Sequence, residues 1–377
     1  MSCVVPLDEP AWWYDPGDAR IVRLLHPLEW LYTRQVVRRL EARQPYRSRL
    51  PVICVGNFTA GGTGKTPLTL HLVQRLAGMG ERPAILTRGY GGRLKGPHWV
   101  DARADSAREV GDEPLLLARA APTLIARDRR AGAIAIETAP ENYSVIVMDD
   151  GLQNPALVKD LTLAVVDARR GMGNGHVIPA GPLRAPLEVQ LPLTDAIVLN
   201  GPPAVTSAEQ SGQDEDIETA PGRQGNNRAT RLATLRREFP GPVLAARTQA
   251  AGDLSWLAGQ PVIAFAGIAN PERFFSLVES CGGRILERHA FKDHHSFSEE
   301  DARRLLEVAR AAGALLVTTE KDHVRLCGAG TNVGELAQRA RALAIRLVFE
   351  DGDERAQALL AGVLSAGGYR ASPFAGP

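Results

Sequence analysis

The 377-residue sequence holds only four cysteines, Cys3, Cys54, Cys281 and Cys327, and no two of them form a Cys-x-x-Cys pair. Such scatter argues against a disulfide framework or a thiolate zinc site and fits reduced thiols in the cytosol. None of the four is expected to be catalytic. Long apolar runs are missing too. With no stretch of about 18 apolar residues, nothing is expected to span a bilayer, and the first residues lack the layout of an export signal. An excess of one charge is equally absent, since 44 Lys and Arg oppose 43 Asp and Glu. Bulk electrostatics therefore give no reason to expect a nucleic-acid partner. There is no internal repeat and no heptad run. What remains is a soluble globular composition, 44% hydrophobic, in a chain longer than one ordinary core, so two lobes are expected.

The stretch Pro51–Leu70, PVICVGNFTAGGTGKTPLTL, organises the rest. Val52 to Val55 read as a buried strand, and the residues from Thr66 open a helix. Between them lie Thr59, Ala60, Gly61, Gly62, Thr63, Gly64, Lys65 and Thr66. The glycines let backbone N–H groups converge on an anion, and the helix N-terminus favours negative charge. Lys65 is then expected to reach the β- and γ-phosphates of a nucleotide and the Thr66 hydroxyl to sit on Mg²⁺. The strict pattern has glycine where this sequence has Thr59. Strand, glycine turn, Gly-Lys-Thr and helix in that order nevertheless favour a nucleotide site over a plain strand-to-helix turn.

Residues 1–50 form a basic N-terminal segment. From Arg20 to Arg49 it carries eight arginines against two glutamates, with Ile21, Leu24, Leu25, Leu28 and Leu31 at helical spacing. This predicts an amphipathic helix or a pair of helices, in either case interrupted near Pro27. Its apolar face either lies on an anionic membrane surface, helped by Trp12, Trp13, Trp30 and Tyr32, or packs on the domain behind it.

Residues 51–200 alternate apolar runs at Ala84–Thr87, Thr123–Ala126, Val145–Met148, Leu163–Val166 and Ala196–Leu199 with helical stretches, the pattern of a parallel sheet wrapped by helices. Polar residues fall at the carboxyl ends of these strands, where ligands of such sheets gather. Among them are Arg88, Arg129 and the Asp149-Asp150 pair, one member of which is placed to help hold Mg²⁺. Gly111-Asp112-Glu113-Pro114, by composition, is a helix start. Residues 201–240 are poor in large apolar side chains and read mostly as a disordered insertion. Residues 241–350 repeat an α/β pattern as a smaller lobe, including a strand at Ala344–Phe349, and 351–377 supply a C-terminal helix and tail. Between elements of the smaller lobe, the loop from His289 to Phe297 holds three of the eight histidines. Acid–base work or substrate contact suits it better than metal binding.

Taken together, these segments resemble the tetraacyldisaccharide 4'-kinase family of lipid A biosynthesis over nearly the whole chain apart from the insertion. The carrying motifs are Val55 to Pro67, Arg88-Gly89-Tyr90-Gly91, Val110 to Pro114, Asp149-Asp150-Gly151-Leu152-Gln153, Gly173-Asn174-Gly175, Pro179 to Arg184, Asp293-His294-His295 and Thr319 to Asp322. The resemblance implies a phosphate-loop α/β fold with a second, smaller lobe. It also implies transfer of the γ-phosphoryl of ATP, with Mg²⁺, to the 4' hydroxyl of a tetraacylated glucosamine disaccharide 1-phosphate. By the same resemblance Asp112 matches a catalytic base supported by His294, while Asp149, Asp150 and Gln153 match a metal and catalytic cluster. Arg88, Glu113, Arg129 and Arg184 become candidates for binding the anionic lipid or the nucleotide. The basic helix becomes a peripheral element on the cytoplasmic face of the inner membrane, and no obligate protein partner is evident. In one departure Arg184 is followed by Ala185 where the family usually has Glu, with Glu188 one turn later. The competing readings are a nucleotide switch or metallochaperone-type NTPase, whose signature lysine would stand at Ala60, and a non-catalytic membrane adaptor.

Overall fold

The computed structural model describes residues 9–14, 19–41, 44–201, 235–326 and 331–365. Most of the 201–240 insertion, Cys3, Cys327 and the tail beyond Ser365 lie outside the described residues. Chain order begins with α1 (Ala19–Glu41), which runs unbroken through Pro27, so the expected interruption there is corrected. Proline deletes one backbone hydrogen bond, but Pro27 sits on the exposed side of the helix, where water can serve the released carbonyl. Ile21, Leu24, Leu28, Trp30 and Leu31 are exposed. Only the other side of the helix, with Tyr32 half-buried and Leu40 buried, meets the protein.

The larger lobe follows as β1 (Val52–Gly56), α2 (Lys65–Gly78), β2 (Pro83–Thr87), β3 (His98–Trp99), α3 (Ala107–Val110), α4 (Asp112–Ala118), β4 (Thr123–Ile125), α5 (Arg129–Glu137), β5 (Val145–Asp149), β6 (Leu161–Asp167), α6 (Leu187–Gln190), β7 (Ala196–Asn200) and β8 (Val243–Ala250). The smaller lobe comprises β9 (Pro261–Ala266), α7 (Pro271–Ser280), β10 (Arg284–Ala290), α8 (Glu299–Ala312), β11 (Leu315–Thr319), α9 (Glu320–Leu326), α10 (Thr331–Arg339) and β12 (Ala340–Leu343). The chain then returns through β13 (Ile345–Phe349) and α11 (Glu354–Ser365).

Among the described residues one sheet has the order β13-β8-β7-β6-β1-β5-β2-β4-β3 and the other β10-β9-β11-β12. The central strands pair in parallel, with β3 and β13 antiparallel at the two edges. β1, β2, β5, β6 and β7 are buried along their whole length, which is why they read as continuous apolar runs without alternation. On one face Leu68, Leu72 and Leu76 of α2, joined by Leu360 and Val363 of α11, pack on Ile53, Val147 and Val165. The smaller sheet is covered by α7 on one side and by α8 and α10 on the other.

The expected lobe boundary needs correction at both ends. β13, read above as part of the smaller lobe, pairs with β8 in register Ile345↔Ala250 to Phe349↔Ala246, and β8 pairs with β7. Both belong to the large sheet, so the small lobe is an insertion between two of its strands. An apolar run shows that a strand exists and is silent about its partner.

Close backbone approaches tie the loop after β2 to the junction of α3 and α4. A Cβ placed on Gly92 would lie 2.6 Å from the Glu109 carbonyl oxygen, and one on Gly111, whose φ is +94°, would lie 2.3 Å from the Tyr90 carbonyl oxygen. Gly111→Ala therefore combines a left-handed conformation with a backbone clash. It should lower stability by about 1–3 kcal/mol, read as a fall in thermal midpoint. An unchanged midpoint would contradict this packing.

Candidate active site

The cradle forms where β1 ends and α2 begins. Gly61 and Gly64 take φ of 98° and 100°, conformations open to glycine at little cost. Gly64 is the N-cap of α2, putting Lys65 and Thr66 in its first turn. Asn200, at the end of β7, donates to the Thr63 carbonyl oxygen at 2.9 Å and accepts from the Thr248 hydroxyl at 3.0 Å. A side chain at Gly64 would strike this amide, its Cβ only 2.2 Å from Asn200 Nδ2. Asn57 Oδ1 and Thr63 Oγ1 are buried here without a protein partner. Orphaned polar atoms beside a ring of backbone N–H groups and a helix N-terminus fit a phosphate-bearing ligand.

Of the two carboxylates at the end of β5, Asp149 closes the strand and Asp150, one residue beyond it, turns away through a positive φ. Asp149 is 1% exposed and accepts from Thr69 Oγ1 at 2.9 Å and Thr87 Oγ1 at 3.4 Å. Burial, with Glu113 and Asp150 nearby, pushes its carboxyl up to about 6. It does not line the cleft. Asp150, with φ 51°, does. Its Oδ1 lies 2.8 Å from Arg184 Nη1 and 3.7 Å from Lys65 Nζ. Burial opposes its charge, but Arg184 and Lys65 hold the carboxyl well below the usual range. Burial draws Lys65 down from the normal lysine value, against the pull of Asp150. Arg184 also donates to the Thr59 carbonyl oxygen at 3.2 Å, so it braces the cradle. Gln153 donates to the Asn57 carbonyl oxygen and to Gln190 Oε1, both at 2.7 Å. Thr66, Asp150 and Gln153 all line the cleft, and their side chains offer oxygen atoms of the kind Mg²⁺ takes.

Across the cleft the small lobe brings three basic side chains to α4. His294 Nδ1 lies 3.2 Å from Asp112 Oδ2, and Arg325 Nε donates to the same oxygen at 2.9 Å, with Arg325 Nη2 close beside it. Arg325 Nη1 donates to Asp322 Oδ1 at 2.7 Å and to the Gly267 carbonyl oxygen at 2.6 Å. Lys321, one turn earlier on α9, pairs with Glu113 at 2.6 Å. Asp112 is 5% exposed. Burial alone would raise its carboxyl, but the His294 hydrogen bond and the Arg325 charge hold it far below the normal range. The bond to Asp112 raises His294, against its own burial. His294 adopts φ 58°, a sparsely populated conformation for a non-glycine residue.

A cleft of about 1340 Å³ joins these groups. Of the residues singled out from sequence, Ala60 to Thr66, Arg88, Glu113, Arg129, Asp150, Gln153, Arg184 and His294 line it. Thr59, Asp112 and Asp149 stand behind this lining. Arg129 is 2% exposed and donates to the Ala126 carbonyl oxygen. Burial lowers its guanidinium to about 10, with Asp149 and Asp150 opposing. Glu188 is exposed and away from the cleft, so it does not replace the carboxylate absent at the buried Ala185. Sequence reading does not single out Arg325, Asn200 or Arg273, the last of which lines the cleft 3.7 Å from Asp167 Oδ2. The i, i+4 spacing of Lys321 and Arg325 after a strand end was the available signal for the first of these.

A glycine cradle on a parallel sheet, with a lysine and a strand-end carboxylate at its mouth and a carboxylate–histidine pair across the cleft, defines a phosphate-loop kinase. The family model described as tetraacyldisaccharide-1-P 4'-kinase matches residues 21–364. A tetraacyldisaccharide 4'-kinase of Rhodopseudomonas palustris (strain BisB5) is 44% identical over 344 residues, 91% of this chain and 93% of its own. One of Methylobacterium nodulans is 48% identical over 318 residues, 84% and 87% of the two chains. The chain belongs to the tetraacyldisaccharide 4'-kinase family. Its fold is similar to that of the Aquifex aeolicus LpxK crystal structure determined in complex with ATP, with a TM-score of 0.65, 24% identity and coverage of 91% of this chain and 99% of that one.

The interlobe ion pairs generate a stability prediction. Arg325→Met strips the main cation from a buried carboxylate, which typically costs about 3–5 kcal/mol. Arg325→Lys should recover part of the loss. Chemical denaturation measures both, and a methionine variant as stable as wild type would contradict the arrangement.

Proposed function

We propose that the cleft transfers the γ-phosphoryl of ATP to the 4' hydroxyl of a tetraacylated glucosamine disaccharide 1-phosphate. Lys65 and the N–H groups of Gly61 to Thr66 bind the triphosphate and fix it in line with the acceptor. Thr66, Asp150 and Gln153 would hold Mg²⁺, which supplies neutralisation of developing phosphate charge. Arg184 keeps Asp150 ionised and aimed, and Asp149 supports it from beneath. Arg88, Glu113 and Arg129 serve the anionic substrates. Asp112 and His294 work as one proton acceptor. The supporting observation is the 3.2 Å contact between them, made by residues of different lobes beside the cradle.

Within the pair, the geometry favours a division of labour. His294 Nδ1 lies 3.2 Å from the Asp112 carboxylate and 3.3 Å from Arg325 Nη2; the division assigns the ring proton to Nδ1, toward the carboxylate, and leaves Nε2 to accept. Asp112 is held ionised by Arg325 and stabilises the imidazolium that forms. A carboxylate already satisfied by a guanidinium is a weak base, whereas an imidazole raised by it is a better one.

The basic helix α1 is proposed as the docking element on the inner membrane's cytoplasmic face. No described helix is long and apolar enough to cross a membrane. Leu24, Leu28 and Leu31 form one exposed stripe, Trp30 lies beside it under Arg34, and Arg38 and Arg39 are exposed. This composition suits an interfacial helix.

Incubating the chain with γ-labelled ATP and the purified lipid acceptor tests the activity. Label should pass to the lipid. Release of free phosphate alone would indicate a switch, and neither outcome an adaptor. Asp112→Asn and His294→Ala should each slow transfer by roughly 10²–10⁴-fold, and the double variant should lose far less than the product of the two, as expected of groups acting as a unit. The pH profile gives a further check. Wild-type transfer should fall as pH drops through the raised His294 value. In Asp112→Asn, which removes the cause of that rise, the acidic limb of the residual rate should move to lower pH. Multiplicative losses with an unmoved limb would exclude the coupled pair.

For α1, changing Arg34, Arg38 and Arg39 together to Gln should weaken binding to anionic vesicles by about 1 kcal/mol per charge. Cosedimentation measures this, and unchanged binding would remove the helix from the docking role.

A further inference from the structure

His26 and Glu29 stand three residues apart on α1, so they share one face of the helix. Facing them is His176, on the loop that follows Gly173-Asn174-Gly175. The metal-binding atoms of these three side chains all lie within 4.8 Å of one another. His176 Nδ1 is 3.2 Å from Glu29 Oε1, and the rings of His26 and His176 have centroids 5.1 Å apart. The loop is fixed independently of any ligand. Its Val177 N–H donates to Glu29 Oε1 at 2.7 Å, the His176 N–H donates to Asn174 Oδ1 at 3.0 Å, and Asn174 Nδ2 donates to the Ala180 carbonyl oxygen at 2.8 Å.

We propose that His26, Glu29 and His176 form a divalent-metal site, separate from the nucleotide cleft, with Zn²⁺ the ion that fits. Two imidazoles and one carboxylate are a donor set zinc accepts, whereas Mg²⁺ and Ca²⁺ take oxygen ligands. Tetrahedral zinc with bonds of about 2.0–2.2 Å requires ligand atoms about 3.3 Å apart. Glu29 and His176 already have that separation. His26 is exposed and closes the remaining gap by turning its side chain. An ion pair explains Glu29 and His176 alone, but not the second imidazole brought to the same carboxylate. Three protein ligands leave a fourth position open to water. The ion would clip α1 to the 173–177 loop and hold the helix at a fixed attitude to the large lobe.

The test uses the full chain, free of any affinity tag and stripped by chelator, titrated with Zn²⁺ alone by calorimetry and with Co²⁺ alone by visible absorption. One equivalent should bind. Disturbing a mere outer-sphere partner of a metal weakens binding about 10–100-fold, so His26→Ala and His176→Ala should each lose at least that much. His98→Ala, which alters a histidine paired with Asp105, should bind as wild type does. Zn²⁺ should also raise the thermal midpoint of wild type and not of His26→Ala. The His26 imidazole makes no hydrogen bond among the described residues, so that variant decides the matter even where His176→Ala misfolds. Absence of stoichiometric binding to wild type, or binding that persists in His26→Ala, overturns the site.

Discussion

A carboxylate removed from water stays charged only where cations reach it, and Asp112 meets this constraint by borrowing them from the other lobe. Desolvating an ion costs several kcal/mol even after relaxation. Arg325 and His294 supply the compensating donors to a single oxygen, and Asp322 holds Arg325 from behind. The Glu113–Lys321 pair repeats the arrangement one residue along. The lobes therefore meet through charges that neither could bury alone. The same contacts that bring the lobes together bias the protonation of Asp112 and His294.

Much of this was legible in the sequence, for reasons that also mark where reading stops. Strands buried on both faces announce themselves as β-branched runs, and a glycine cradle requires its residues to be contiguous. Both are local facts. Asp112 looked like an ordinary helix start because its partners are 182 and 213 positions away, and spacing carries no record of such distances. β13 reads as part of the smaller lobe because one residue, Ala344, separates it from β12. Nothing in an apolar run says on which side of a hinge it falls. Pro27 reads as an interruption of α1, yet the rule against proline weakens where the released carbonyl meets solvent.

The Asp149-Asp150 pair shows how little sequence distance is needed for divergent chemistry. Adjacent on the chain, one is sealed against Thr69 and Thr87 and drawn toward neutrality, while the other turns out through a positive φ to meet Arg184 and Lys65. The backbone turn at the strand end, more than any difference in residue type, assigns the two environments.

The small lobe leaves the large sheet after β8 and returns into β13, and the two crossings are neighbours. Ala250 is the register partner of Ile345, and the Ala251 N–H still donates to the Ala344 carbonyl oxygen at 2.9 Å. A body hung from two hydrogen-bonded strands cannot twist or slide freely, because either motion would shear the ladder between them. Rocking about the line of the two strands is the motion that preserves those bonds. Any opening of the lobes would thus approximate a single mechanical degree of freedom, with the separation of Asp112 from His294 as its coordinate.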